Sequence, residues 1–297
     1  MYLNLFIEQP GFGLLVAFVL SLMVGSFLNV VIYRLPEMMR REWESECQEY
    51  LTETSDEPAN QITTEQQEAP LTLSTPASTC PSCQHKIRWY ENIPALSYIA
   101  LRGKCSQCSA KISARYPIIE LLTAFAGSIP VYIYGLNDAG ITLMLATWVL
   151  IALTFIDIDH QLLPDKLTLP LLWLGLLVNS FGTFTSLHHA VWGAIAGYLC
   201  LWSVYWVFKL LTGKEGMGYG DFKLLAALGA WTGITMLPQI ILISSVVGVV
   251  LAFILMAVNR HKASNPLPFG PYLAIAGWIA MLWGHEINHW YLSFLTS

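Results

Sequence analysis

Charged side chains are scarce in this sequence. Only 12% of its 297 residues are Asp, Glu, Lys or Arg, against roughly 25% in soluble domains. That shortage excludes an ordinary water-soluble globule. With a net charge of −5 and no basic stripe, nothing resembles a nucleic-acid surface. No G-x-G-x-x-G loop follows a strand pattern, so a Rossmann-type donor pocket is not supported. The first apolar run has no basic n-region and no small-x-small cleavage site, which favours a signal anchor over a cleaved signal peptide. No internal repeat stands out.

What replaces charge is apolar sequence. Hydrophobic residues make up 55% of the chain, with 11 Trp and a mean hydropathy of +0.53. They come in blocks near membrane-spanning length, which predicts an all-α polytopic membrane protein whose solvent is lipid. Eight spans are expected, at about 11–33, 117–136, 140–156, 166–183, 188–210, 222–236, 237–258 and 269–286. The segments 140–156 and 222–236 are short, tilted or partly re-entrant. With eight spans, all 15 Lys and Arg fall on one face. The opposite loops, such as Ser180 to His189, have none. Basic loops face the cytoplasm, so both termini are expected on the periplasmic side.

Nine of the 20 acids lie between Glu42 and Glu68, among Thr, Gln and Ser. Such a stretch buries no core and predicts a disordered cytoplasmic insert. Four regions follow: an anchor at 1–36, the acidic insert at 37–79, a cysteine-bearing module at 80–116 and a membrane domain at 117–297.

Cys80, Cys83, Cys105 and Cys108 form two C-x2-C pairs separated by 21 residues. On a reducing face this spacing points to zinc rather than disulfides. Four thiolates close a tetrahedral site and leave no open position, so the metal would be structural. The segment between the pairs is too small to fold on apolar burial alone, and metal binding would supply much of its folding free energy. Free thiols, or His85 replacing one Cys, are the alternatives. Cys47 and Cys200 read as ordinary residues.

Two aspartates stand where apolar runs meet short polar loops: Asp157 in FIDIDHQLLPD and Asp221 in GMGYGDFKLLAALGAW. An ionisable side chain at membrane depth marks a functional site by default. Both fall at the cytoplasmic ends of their spans, as a shared site requires. Two nearby carboxylates in a low-dielectric site do not both ionise, so one holds a proton. Such a pair can drive water against an amide, the chemistry of aspartic proteases. Pro164 ends the helix before it, Asp165 reads as the N-cap of the next one, and Asp159 reads as solvated. Gly216, Gly218 and Gly220 give the backbone before Asp221 access to positive φ and close approach. The alternative for Asp221 is a plain helix cap.

At these residues the sequence resembles the type IV prepilin peptidases, over nearly the whole chain. The likeness includes GSFLNVVIYRLP (Gly25–Pro36), the Cys80–Cys108 segment, ISARYPIIELL (Ile112–Leu122), Ile156–Asn179 and GMGYGDFKLLAALGAWTG (Gly216–Gly233). The resemblance implies an inner-membrane aspartic peptidase of the GxGD type. It would cut prepilins or pseudopilins after a leader-terminal glycine on the cytoplasmic side, then methylate the new N-terminal residue with S-adenosylmethionine. Its catalytic aspartates correspond to Asp157 and Asp221, its glycine loop to Gly218 and Gly220, and its cysteine tetrad to Cys80, Cys83, Cys105 and Cys108. The acidic insert is the part least covered.

The methyltransferase site is less visible. Polar groups near the membrane in the first cytoplasmic region make Asn29, Arg34, Glu91, Asn92 and Arg102 its candidates. Snorkelling (Arg34), loop capping and surface salt bridges are the structural alternatives. The rival function is a proton- or metal-coupled transporter with a zinc-binding module, which predicts acids spread through the membrane depth.

Overall fold

The computed structural model describes residues 10–54, 71–257 and 268–296. The described residues form nine α-helices and no strand: α1 (Pro10–Thr54), α2 (Leu96–Ala100), α3 (Arg115–Tyr134), α4 (Asp138–His160), α5 (Asp165–Ser180), α6 (Leu187–Thr212), α7 (Tyr219–Thr232), α8 (Leu237–Ala257) and α9 (Gly270–Thr296). Single 3-10 turns lie at Trp89–Asn92 and Ile234–Met236. Five stretches are long and apolar enough to cross a membrane: Gly11–Thr52, Arg115–Tyr134, Asp138–His160, Leu187–Thr212 and Ile234–Leu251. The protein is therefore a multi-pass membrane protein. Helices α5 and α7, with 16 and 14 residues, fall short of the roughly 20 residues that span a bilayer.

The chain divides into two units, residues 19–124 and residues 1–18 with 125–297. In the larger unit, α7 is the central helix. From Asp221 to Thr232 every residue except Lys223 is buried, as expected of a helix apolar on all sides. Small residues let α6 reach its backbone. A Cβ on Gly229 would stand 2.2 Å from the Gly193 carbonyl oxygen, so two glycines make this crossing possible. Buried polar groups lock the other side. Asn179 Nδ2 donates to the Ala230 and Trp231 carbonyls at 2.8 and 3.0 Å, and Trp231 Nε1 donates to Leu171 O at 2.9 Å. Gly233, at φ 82°, ends α7.

The smaller unit contains most of α1, the cysteine module and the start of α3. Residues 37–54 are helical, contrary to the disorder expected of the acidic stretch. Glu37 pairs with Arg40 at 2.7 Å and with Arg41 at 2.9 Å, i,i+3 and i,i+4 contacts that support an exposed helix. Residues 71–76 are held as well: Arg34 donates to the carbonyls of Thr72 (2.9 Å), Leu73 (3.5 Å) and Pro76 (2.8 Å). The part of the expected insert at 55–70 lies outside the described residues. Helices α1 and α3 touch where a Cβ on Gly25 would lie 2.8 Å from Glu120 Cα, and the buried Glu120 accepts the Ala95 N–H at 2.8 Å.

Candidate active site

Asp157 sits in the last turn of α4, which stops at His160 because Gln161 adopts a left-handed conformation (φ 52°) and donates its N–H to Asp157 O. Asp221 lies in the first turn of α7. Both carboxylates are buried, 5% and 7% exposed, and they lie within electrostatic reach of each other. Asp157 Oδ2 accepts the Gly270 N–H, at the start of α9, at 3.0 Å. Leu163 packs between the loops: Cβ atoms on Gly220 and Gly270 would lie 2.7 Å from its Cβ and 3.2 Å from its Cδ1. Two carboxylates withdrawn from water at one level of the larger unit can share a proton and activate a water. Asp159 is exposed, as expected.

Two local expectations need correction. Asp165 is not the N-cap of α5. Pro164 takes that extended position (φ −63°, ψ 131°), and Asp165 enters the first turn, where both its oxygens accept Lys223 Nζ at 2.7 Å. None of Gly216, Gly218 and Gly220 has positive φ. Their contribution is closeness: a Cβ on Gly216 would meet the Phe208 ring at 2.8 Å, and one on Gly220 would meet Leu163.

The four cysteine sulfurs lie within 4.8 Å of one another. Cys80 Sγ is 3.8 Å from Cys108 Sγ, and Cys83 Sγ is 4.0 Å from Cys105 Sγ. Thiolates bound at about 2.3 Å around a tetrahedral zinc stand about 3.8 Å apart, so the donor set fits that ion. The module repeats one loop twice, although no repeat was evident in the sequence. Cys80 N donates to His85 O and Gln84 N to Cys80 O; Cys105 N donates to Ala110 O and Ser109 N to Cys105 O. Gln84 and Ser109 are both left-handed. The backbone N–H groups of Cys83 and Ser82 pull the Cys80 thiol down to about 6. The equivalent groups of Cys108 and Gln107 lower Cys105. His85 stands aside from the sulfurs, with Nε2 3.2 Å from Glu91 Oε2.

The methyltransferase candidates divide into two groups. Glu91 joins the two loops: it accepts the Arg88 N–H at 2.8 Å and the Ser106 hydroxyl at 2.6 Å. The Arg88 N–H, Ser106 and His85 hold its carboxyl at about 2. Arg34 clasps residues 72–76, and Asn29 Nδ2 donates to the Gly25 and Tyr116 carbonyls, both at 3.3 Å. Asn92 and Arg102 are exposed. Among the described residues, neither of these two side chains has a hydrogen-bond partner. Two groups were missed in the sequence. Gly270 acts through its backbone, and only the Pro-Phe-Gly-Pro break at 268–271 hinted at a special turn. Glu120 is a buried acid in a span and was open to the argument applied to Asp157.

Comparison with known proteins adds a family. The description "Bacterial Peptidase A24 N-terminal domain" matches residues 19–134, and "Type IV leader peptidase family" matches residues 144–253. The chain is 56% identical to the prepilin leader peptidase/N-methyltransferase of Stutzerimonas stutzeri, over 97% of this chain and 96% of the relative. It is 56% identical to that of Aeromonas hydrophila over 93% and 92%, and 52% identical to that of Pseudomonas aeruginosa over 97% and 96%. No solved structure matches. Nothing among these relatives supports a transporter.

Proposed function

This chain belongs to the type IV leader peptidase family, and on that premise we propose that Asp157 and Asp221 carry its peptide cleavage, one protonated and the other ionised. It is a membrane peptidase and N-methyltransferase acting on prepilins. The protonated carboxyl polarises the scissile carbonyl after the leader glycine, while the carboxylate takes a proton from the attacking water. Gly218 and Gly220 keep the loop before Asp221 slim enough to admit an extended peptide. The observation that carries this reading is the pairing of two buried carboxylates, one at the end of α4 and one at the start of α7, within electrostatic reach.

The finer features belong to the same proposal. The chain crosses the bacterial inner membrane eight times, with the short α5 and α7 as spans shielded by their neighbours. Both termini are periplasmic, and the aspartates and the cysteine module face the cytoplasm, where prepilin and pseudopilin leaders are found. Cys80, Cys83, Cys105 and Cys108 hold one structural zinc ion, which supplies rigidity and takes no part in the chemistry. S-adenosylmethionine is the methyl donor. Its site involves residues of the cytoplasmic region among Asn29, Arg34, Glu91, Asn92 and Arg102, with the last two free to contact it.

The deciding experiment incubates purified enzyme with a prepilin and labelled S-adenosylmethionine, scoring leader removal and label transfer separately. Wild type should do both, and Asp157→Asn and Asp221→Asn should fail at the first. Undiminished cleavage by either variant overturns the dyad.

A further inference from the structure

Asp157 has a polar contact from a residue without a side chain. Helix α9 opens at Gly270, whose N–H points at Asp157 Oδ2 from 3.0 Å in a buried setting. First-turn N–H groups have no partner within their own helix, and a helix N-terminus favours negative charge. Pro271 follows and has no N–H, so Gly270 supplies the donor at this point of the turn. The turn is fixed on both sides. Phe269 O accepts the N–H groups of Tyr272 and Leu273 at 3.1 and 3.2 Å. Further along α9, Trp278 Nε1 donates to Thr147 Oγ1 of α4 at 3.0 Å. The helix carrying the donor is thus tied to the helix carrying the acceptor at two separate levels.

A side chain at the same place would displace the carboxylate. A Cβ on Gly270 would stand 2.6 Å from Asp157 Oδ2 and 3.1 Å from its Cγ. Ordinary van der Waals contact would need the carboxylate to retreat by several tenths of an ångström, and the hydrogen bond it accepts from the Gly270 N–H would then be lost. We propose that Gly270 is a positioning residue of the peptidase: its backbone N–H sets the orientation of the Asp157 carboxylate, and its missing side chain leaves the space the carboxylate occupies. This rests on the assignment of peptide cleavage to Asp157 and Asp221. It makes the start of α9 a third arm of the site, joined to the ends of α4 and α7.

The test uses full-length enzyme in detergent or nanodiscs with a prepilin substrate, and compares wild type, Gly270→Ala and Gly284→Ala. Gly284 lies on the same helix, where an added Cβ comes within 3.3 Å of the flexible Met236 sulfur and otherwise makes ordinary contacts with Ala280 Cβ at 3.7 Å and Met236 Cγ at 3.9 Å. Misplacing a catalytic group by about 1 Å costs on the order of 100-fold in rate. Gly270→Ala should therefore lose about 100-fold in kcat with KM within about twofold of wild type, the signature of a lost transition-state interaction. Gly284→Ala should stay near wild type. Gly270→Ala should still methylate a pre-cleaved pilin, which shows that the chain is intact. Near wild-type kcat in Gly270→Ala, beside an active wild type, overturns the positioning role alone. Inactive wild type overturns the functional assignment beneath it. If Gly270→Ala does not accumulate, site-resolved hydrogen exchange decides. The Gly270 amide should be protected in wild type and exchange faster once Asp157→Ala removes its acceptor, and equal protection in both overturns the proposal.

Discussion

The two units of this chain hold their chemical groups by opposite means. In the larger unit, the main buried apolar cluster runs from Leu143 to Leu282 and surrounds α7. Its aspartates are fixed because helix ends are fixed, and helix ends are fixed by packing and a few buried hydrogen bonds such as those of Asn179 and Trp231. In the smaller unit, the cysteine module has almost no core: between residues 71 and 114 only Cys80, Ala95 and Gly103 are buried. Its order comes from turns, a cluster of sulfurs and the carboxylate of Glu91. A site inside a packed helical unit can rely on burial, whereas a small module with almost no core needs a staple. The peptidase should therefore be broken by single atoms at the dyad, and the module by loss of its metal.

The largest expected effect is at the dyad. Asp157→Asn and Asp221→Asn should each reduce leader cleavage by about 10²-fold or more, since Asn neither accepts nor delivers the proton. Both variants should still insert and should methylate a pre-cleaved pilin, measured by label transfer. Asp159→Asn and Asp165→Asn should keep most activity. Asp159 is exposed, and the exposed Asp165–Lys223 pair is worth about 0–1 kcal/mol. Loss of both activities in the dyad variants would erase the contrast between the units.

Next comes the metal. About one zinc ion per chain should co-purify under reducing conditions, because four thiolates complete a tetrahedral site. Cys80→Ser should release it, raise protease sensitivity across residues 80–108 and reduce methylation more than cleavage. Metal analysis finding no zinc in chelator-free protein would end this claim. Glu91→Ala should act in the same direction and more weakly. It removes the acceptor that joins Arg88 to Ser106 but leaves all four sulfurs in place.

Packing in the larger unit sets the third effect. Gly229→Ala puts a methyl group 2.2 Å from the Gly193 carbonyl oxygen, and the backbone has little room to yield. Overpacking of this kind costs about 1–3 kcal/mol, read as a lower melting temperature of the purified enzyme with zinc still bound. Unchanged thermal stability would mean that α6 and α7 are less tightly apposed than the structure has them.

Much of this was legible in the sequence where function resides in side chains. Asp157 and Asp221 declared themselves as charges at the ends of apolar runs, and the cysteine tetrad by its spacing. What was not legible depends on backbone and on partners. Residues 37–54 have a composition that suits a solvated coil, yet Glu37, Arg40 and Arg41 meet only once a helix sets their spacing. Asp165 had the chemistry of a cap, but Pro164 took the cap position and Lys223, distant in sequence, took the carboxylate. The repeated cysteine loop lies in N–H and carbonyl positions that differing residues share. Gly270 contributes an N–H and an empty space, and neither is written in a side chain.

The smallest expected effect concerns the methyl donor. Among its five candidate residues, Asn29, Arg34 and Glu91 already hydrogen-bond to the protein, and changing them would disturb folding together with any chemistry. Asn92 closes the 3-10 turn Trp89–Asn92 and Arg102 follows α2, both exposed on the module. Arg102 is left-handed at φ 52°, a conformation that is uncommon outside glycine and marks a constrained position. If they contact the donor or the new N-terminus, Arg102→Ala and Asn92→Ala should lower methylation severalfold through KM for the methyl donor, while leader removal and zinc content stay at wild-type levels. Arg102→Lys should recover part of the loss, because a positive charge remains while the planar fork is gone. Alanine variants that methylate at the wild-type rate would move the donor site away from this edge of the module. Variants that lose zinc or cleavage as well would reduce both residues to parts of the fold.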